Sequence, residues 1–230
     1  IETGQSRPGT RKDAGDMARL IDALPHIRFF KNTINPCDVP PKMGDRVLAA
    51  EALSNTTKPV CSSCFSALGC RDIIRMGVAV AGSEEAYRSR PMTSVSMTAV
   101  SPLVWPEYSA DQIILSARAG APHIAATAPQ AGTTAPVTLA GLIVQQNAET
   151  LAGVVLSQAT APGAPVLLGA VGTVADLRSG RYASGAVELA MTNAVHAQLS
   201  RRYRIPLYAT GGKSDSKIAD FQCGVEKSVQ

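Results

Sequence analysis

Six short β-branched or apolar runs are spaced along the chain, and each is followed by a segment with helical periodicity. The predicted strands are residues 26–33, 59–65, 92–100, 123–127, 166–171 and 205–210. The predicted helices are residues 12–23, 41–54, 71–82, 110–120, 134–160, 184–202 and a segment that begins at residue 216. Alternating strands and helices are typical of a parallel sheet, so the pattern predicts six βα units.

Proline marks the boundaries between these units. The prolines that stand at or near strand entrances are Pro59, Pro91, Pro122, Pro165 and Pro206. Proline ends a preceding helix and is tolerated at the first position of a strand. The prolines therefore support the same division of the chain.

Two parallel architectures fit this alternation, a doubly wound sheet and an eight-stranded barrel. No G-x-G-x-x-G follows a predicted strand and the chain has no G-x-x-x-x-G-K-[ST] motif, so the phosphate loops of nucleotide-binding sheets are missing. We therefore predict an α/β fold of the TIM-barrel type, an incomplete barrel of about six parallel βα units. Site residues should lie at the carboxyl ends of its strands.

The charged residues, 17% of the chain, are unevenly distributed. Between Arg118 and Asp176 the only charged side chain is Glu149. A segment this long with a single charge must be covered either by the rest of its own domain or by a partner subunit, and we expect a homo-oligomer. Since an unpaired buried carboxylate is costly, we expect Glu149 to be buried and hydrogen-bonded. A second hypothesis is that Glu149 orients a catalytic group.

Composition argues against several other functions. A net charge of +4 without a basic run gives no support to nucleic-acid binding, and no uncharged apolar run suits a membrane span. Five cysteines, an odd number, favour reduced thiols and a cytoplasmic location. Cys61 and Cys64 would face opposite sides of a strand and the histidines are dispersed, so we expect no metal site. Cys64 alone is expected to line the barrel.

Four motifs occur in order along the chain, at residues 132–141, 146–153, 162–165 and 212–217, followed by Asp220, Gln222, Gly224, Glu226 and Lys227. Residues 2–4, 7–10, 22–24, 38–40 and 57–59 add shorter matches. Together they resemble the trimethylamine methyltransferase family, which includes glycine betaine methyltransferases that lack pyrrolysine. Members are much longer, so the resemblance implies that residues 1–230 are one domain, the central part of a (β/α)8 barrel with flanking sequence missing on both sides.

The resemblance implies a methyltransferase that moves a methyl group from a quaternary or tertiary methylated amine, such as glycine betaine, to the Co(I) of a corrinoid (cobalamin). The corrinoid is held by a separate corrinoid protein. A quaternary ammonium expels a neutral tertiary amine, so no general acid is needed and the protein mainly orients the cation. One alternative is a non-catalytic homologue that binds a corrinoid or a partner.

Residues that follow predicted strands are the candidates for the substrate site. Substrate contacts are predicted for Ser101, Trp105, Gln130, Thr134 and Asp176. The face of Trp105 suits a methylammonium, although the same ring could simply cover the barrel rim between Pro102 and Pro106. Asp176 either complements the cation or pairs with Arg178.

Small residues in two loops would let a corrinoid approach closely. The residues expected to face it are Gly132, Gly211, Gly212, Ser214 and Asp215. Ser214 or Asp215 would cap the last helix, and a threonine at 133 or 134 would cap the long one. Lys213 follows the last strand and leaves a second alternative, a Schiff-base TIM-barrel aldolase.

Overall fold

Parallel strands alternate with helices along most of the chain. The computed structural model describes residues 6–230. The strands are β1 (Phe30–Lys31), β2 (Val60–Ser63), β3 (Thr93–Thr98), β4 (His123–Thr127), β5 (Gln130–Ala131), β6 (Val166–Ala170), β7 (Thr173–Asp176), β8 (Arg181–Tyr182) and β9 (Leu207–Ala209). The helices are α1 (Arg11–Ala23), α2 (Gly44–Asn55), α3 (Ala67–Ala81), α4 (Glu84–Ser89), α5 (Glu107–Ala119), α6 (Leu139–Thr160), α7 (Val187–Tyr203) and α8 (Phe221–Ser228), with a 3₁₀ turn at Pro41–Met43.

The main sheet has six strands in the order β1-β2-β3-β4-β6-β9, and all neighbours are parallel. Its two edge strands curl toward each other. The Lys31 ammonium on β1 lies 5.3 Å from the centroid of the Tyr208 ring on β9, and the Phe29 and Tyr208 centroids are 6.1 Å apart. The sheet is thus an incomplete barrel, which confirms the predicted fold class and the six parallel strands.

The two faces of the sheet have different neighbours because side chains alternate along each strand. Val95 and Met97 point outward and pack with helix residues, whereas Cys61, Ile124 and Ala126 form a cluster on the inner face. The expectation that Cys64 lines the barrel is wrong. Three residues after Cys61, it packs on the helix-facing core beside Val95 and Met97, so Cys61 is the thiol that lies inside.

A small second sheet extends the carboxyl ends of β4 and β6, and the sequence pattern gave no sign of it. β5 pairs in parallel with β7, and β8 returns antiparallel to β7. The strand paths break at Pro129 and Gly172, and the Thr173 N–H donates to the Pro129 carbonyl oxygen at 3.2 Å. β5, β7 and β8 therefore form a raised rim above the barrel wall.

The helices α6 and α8 begin later than predicted, and their caps differ from those expected. The cap of α6 is Thr138, whose hydroxyl accepts from the Gly141 N–H at 3.2 Å. Thr133 and Thr134 lie in a tight turn after Gln130, well before the first residue of α6, and the Thr134 hydroxyl accepts from the Gln130 N–H instead. Similarly, α8 begins after Asp220, so the predicted capping by Ser214 or Asp215 is wrong.

The helix α6 passes a simple test of length and apolar composition for a membrane span, although only 33% of its most apolar window is buried. A helix of a globular core can pass the same test. Here α6 packs against β4 and β6 and lies between α5 and α7. Its contacts are those of a barrel helix.

Candidate functional site

Glu149 on α6 joins several of the predicted site residues, and it is only 2% exposed. Its Oε2 accepts from the Ser101 hydroxyl at 2.8 Å. Its Oε1 accepts from the Leu103 N–H and from the Gln145 side-chain amide, both at 2.9 Å. Because three donors surround the carboxylate, its burial leaves no uncompensated acceptor. The predicted burial and hydrogen bonding of Glu149 are confirmed.

The loop after β3 is held in a fixed shape by these bonds. Val100 and Val104 exchange two backbone hydrogen bonds of 2.8 and 3.0 Å, which closes a tight turn around Ser101 and Leu103. Leu103 adopts a positive φ of 58° within that turn. The turn thereby aims both the Ser101 hydroxyl and the Leu103 amide at Glu149.

A second branch of the network reaches the loop after β4. The Gln145 side-chain amide also donates to the Thr134 carbonyl oxygen at 2.8 Å. The Thr134 hydroxyl in turn accepts from the Gln130 N–H at 2.9 Å. Ser101, Gln130 and Thr134 are therefore linked through Gln145 and Glu149, where the carboxyl ends of β3 and β4 meet α6.

Trp105 anchors the far end of the β3 loop to α6. Its indole N–H donates to the backbone carbonyl of Glu149 at 2.9 Å. A Cβ added to Gly153 would lie 2.7 Å from Cζ2 of the indole, so only glycine fits the contact between ring and helix. These are the contacts of the rim-packing interpretation. A cation-binding role for Trp105 stays a prediction.

Asp176 does not join this network. It is exposed at the β7–β8 turn, where its carboxylate accepts from the Ser179 hydroxyl at 2.5 Å and the Arg178 N–H at 3.0 Å. These hydrogen bonds hold the pKa of Asp176 below its usual range. The expected pairing with Arg178 is a backbone hydrogen bond rather than an ion pair.

In the loop after β9, two glycines border open space and two polar residues are already hydrogen-bonded. No atom lies within 4 Å of a Cβ placed on Gly211 or Gly212, so both glycines border open space. The Ser214 hydroxyl instead donates to Glu226 at 2.6 Å. The Asp215 carboxylate accepts from the Ser184 and Gly185 amides, both at 3.0 Å. Ser214 and Asp215 therefore hold the loop against its neighbours.

Gly132 and Lys213 each touch the raised rim. Gly132 has a φ of +91°, and the nearest atom to a Cβ placed there is a Leu177 methyl at 3.0 Å. The Lys213 ammonium lies 5.4 Å from the centroid of the Tyr182 ring. Burial lowers the pKa of Lys213 and raises that of Tyr182 to about 12.

The sequence pattern did not predict a cluster of polar side chains on the inner barrel face. The Lys31 ammonium lies 3.8 Å from the Cys61 thiol and also faces Tyr208. The alternation along β2 could have placed Cys61 inside, but nothing local links β1 to β9. Within residues 6–230 no three His, Cys, Asp or Glu side chains lie close enough to hold a metal ion.

Comparisons with known proteins agree with these observations. A family model described as trimethylamine methyltransferase matches residues 1–230. A trimethylamine methyltransferase from Desulfitobacterium hafniense is 35% identical over 224 residues, which are 97% of this chain and 45% of that protein. A glycine betaine methyltransferase from the same species is 30% identical over 227 residues, 98% of this chain and 47% of that protein.

A trimethylamine methyltransferase from Methanosarcina barkeri is 34% identical over 225 residues, which are 95% of this chain and 44% of that protein. The chain thus spans about half the length of the curated relatives it matches. The short match at residues 2–4 lies outside the described residues, whereas the four ordered motifs lie within them. With a family match along all 230 residues, the chain belongs to the trimethylamine methyltransferase family.

Proposed function

We propose that the protein containing this chain transfers a methyl group from a quaternary or tertiary methylated amine to the Co(I) of a corrinoid held by a separate protein in the cytoplasm. The observation that carries the proposal is the family match along residues 1–230. The relatives named above support the substrate class, since their names specify trimethylamine and glycine betaine.

The chemistry fits a site without an acid–base pair. The corrinoid, brought by its carrier protein, supplies the nucleophile that accepts the methyl group. When the C–N bond of a quaternary substrate, or of a tertiary amine bound in its protonated form, breaks, its electron pair stays on nitrogen and a neutral amine leaves. No proton has to move, so the chain's residues need only bind the cation and aim one methyl group outward.

Glu149 suits a positioning role in this reaction. Both carboxylate oxygens already accept hydrogen bonds, so Glu149 is poorly placed to act as a base. Through Ser101 and Trp105 it fixes the loop at the carboxyl end of β3, where barrel enzymes carry their sites. A fixed loop preserves the orientation that a direct methyl transfer demands.

The corrinoid is proposed to approach the carboxyl ends of the strands. Open space at Gly211 and Gly212 supports such an approach, because no side chain intervenes there. Gly132, Ser214 and Asp215 would shape the same edge, with Leu177 covering Gly132. The proposed substrate contacts remain Ser101, Trp105, Gln130, Thr134 and Asp176.

A homo-oligomer is also part of the proposal. On the outward side of α6, and of α7 before Arg201, the exposed residues are mainly apolar, and we name this surface the apolar wall. Its exposed residues are Ala140, Val144, Ala148, Ala152, Val155, Ala159, Val187, Met191 and Ala194. An apolar surface spread over two adjacent helices is suited to contact with a second copy.

The test uses the natural protein that includes this chain, with a reduced corrinoid protein. Glycine betaine, carnitine, choline, proline betaine and trimethylamine are assayed for loss of the Co(I) absorbance and for release of the demethylated amine. We expect methyl transfer from at least one quaternary amine. Transfer from none of the five would contradict the proposal, and binding without transfer would support the non-catalytic alternative.

A variant pair tests the role of Trp105. If its ring contacts the ammonium, Trp105→Ala should weaken substrate binding by about 0.5–2 kcal/mol, and Trp105→Phe should restore part of the loss. Phe221→Ala is the matched control, because Phe221 on α8 is 87% exposed. Unchanged affinity in Trp105→Ala would restrict the residue to rim packing.

The Schiff-base alternative rests on the position of Lys213 in the loop after the last strand of the main sheet. Burial lowers the pKa of Lys213, which favours its neutral amine. Borohydride reduction in the presence of a ketone would trap such an adduct. We expect no adduct, since the relatives named above are methyltransferases and the Lys213 ammonium packs on Tyr182.

A further inference from the structure

A groove of about 720 Å³ lies on the outer surface between α3 and α5, and α4 borders it. Its apolar lining comes from Ile74, Val78, Leu115 and Ala119. Four arginines also line the groove, namely Arg71, Arg75, Arg88 and Arg118. A volume of this size is typical of pockets for small organic molecules.

The arginines lack carboxylate partners among the residues that the structure describes. Every ion pair within residues 6–230 lies between Arg7 and Asp72, and none includes a groove arginine. Glu84 is the one acidic residue in the lining, against four guanidinium groups. Arg71 and Arg75 are one helical turn apart, so their charges repel each other unless an anion lies between them.

One of these arginines is held in place by the fold. The Arg88 guanidinium donates to the Arg118 carbonyl oxygen at 3.1 Å, which ties α4 to the end of α5. Gly120 has a φ of +69°, and a Cβ placed there would lie 3.2 Å from Cγ of Arg88. The side chain of Arg88 therefore lies across the end of α5 beside the groove.

The groove is separate from the methyl-transfer site. In a barrel, α3 and α5 run back from the carboxyl ends of the strands toward the amino ends. The groove lining runs along these helices from Arg71, near the start of α3, to Arg118 in the last turn of α5, and it shares no residue with the network around Glu149. A cluster of arginines would also repel a methylammonium, so this groove does not suit the proposed methyl donor.

We propose that the groove between α3 and α5 binds a small soluble anion with an apolar body. The guanidinium groups of Arg71, Arg75 and Arg118 would bind a phosphate head, for which the planar guanidinium fork is well matched. The lining from Ile74, Val78 and Leu115 would cover the apolar body. Phosphate and carboxylate heads share this chemistry, and phosphate carries more charge.

Isothermal titration of the natural protein with three probes tests the combination of charge and apolar surface. Octyl phosphate carries both features, inorganic phosphate only the charge and octyl glucoside only the chain. Below the micelle concentrations, octyl phosphate should bind at least tenfold more tightly than either of the others. Equal binding of octyl phosphate and octyl glucoside, or no binding of octyl phosphate, would overturn the proposal.

Variants locate the binding. Arg71→Ala combined with Arg75→Ala should weaken the binding of octyl phosphate at least tenfold. Because both side chains are exposed, their removal should leave the fold intact. The matched control is Arg201→Ala combined with Arg202→Ala, an exposed arginine pair at the end of α7. Equal losses in the two double variants would mean non-specific charge attraction and would overturn the proposal. Tighter binding to phosphatidic acid vesicles than to soluble octyl phosphate would also overturn the proposal.

Discussion

The outer surfaces of the first helices and of the later helices differ in how they use charge. Around α1, α2 and α3, six ion pairs connect side chains between Arg7 and Asp72. The apolar wall on α6 and α7 instead exposes Val144 and Val155, at 70% and 66%. On α6 the single charge, Glu149, lies inside the protein.

This contrast separates solvated surface from surface that suits a partner. Exposed ion pairs contribute little to stability, but they keep a helix face compatible with water. An uncharged face gains free energy when it is covered. Removing a buried carboxylate that accepts from three donors should destabilise the fold strongly, because each donor is then left without its acceptor. The exposed charged residues of α1, such as Asp16, are therefore expected to tolerate substitution, whereas α6 is expected to be sensitive on its inner side.

The largest expected effect is at Glu149. Glu149→Ala removes the acceptor of the Ser101, Leu103 and Gln145 donors, which should lower the free energy of unfolding by about 2–4 kcal/mol. Urea unfolding monitored by circular dichroism measures the change. Asp16→Ala on α1 is the control, since Asp16 forms exposed ion pairs with Lys12 and Arg19 and should alter stability little. Equal effects of the two substitutions would remove the contrast between the regions.

The next-largest expected effect on stability is at Gly153, which makes a tight contact on the inner side of α6. Gly153→Ala places a Cβ 2.7 Å from Trp105 and 2.8 Å from Ala125, which should cost about 1–3 kcal/mol of unfolding free energy. Gly224→Ala in α8 is the matched control, because its Cβ meets no atom within 4 Å. That substitution should be stabilising by up to about 1 kcal/mol through helix propensity. Calorimetric melting of both variants checks the difference, and a stable Gly153→Ala protein would show that the contact can relax.

The two regions should also respond to acid at different pH. Burial lowers the pKa of His123 on β4 and of His196 on α7, so the folded state binds their protons less readily than the unfolded chain. The free energy of unfolding should therefore fall as pH drops below about 6.5. Asp13 and Asp16 on α1 have lowered pKa values, so their contribution is lost only below about pH 4.

Unfolding free energies measured between pH 8 and pH 3 would separate these two phases. Substituting His123 or His196 by Gln should flatten the phase below pH 6.5 and leave the more acidic phase unchanged. A wild-type protein with constant stability from pH 7 to pH 5 would contradict the assignment to the histidines.

The smallest expected effect on folding comes from the apolar wall. Val144→Lys should alter the free energy of unfolding by no more than about 0.5 kcal/mol, because the side chain is exposed. In the natural protein, sedimentation velocity should show loss of self-association if a second copy covers the wall. Leu20→Lys on α1 is the control, since Leu20 is also exposed, at 54%, but lies among charged residues. Unchanged association in Val144→Lys would exclude the wall as the contact between copies.

The sequence by itself determined the order of the six strands of the main sheet and of every helix except α4, together with the burial of Glu149. Periodicity is local, so a run such as 123–127 reveals β4 with both bounds correct. Glu149 could be placed inside because it is the only charge on an otherwise apolar helix. The family motifs likewise depend only on residues that are close in sequence.

The tertiary structure alone decided which side chains meet. Glu149 reaches Ser101 across 48 positions and Tyr208 faces Lys31 from the opposite edge strand, while Asp176 stays exposed. The caps of α6 and α8 and the raised rim also depended on how the loops pack. The physical reason is that periodicity fixes which face of an element is apolar, whereas loop paths and partners follow from the curl of the sheet, which brings distant residues together.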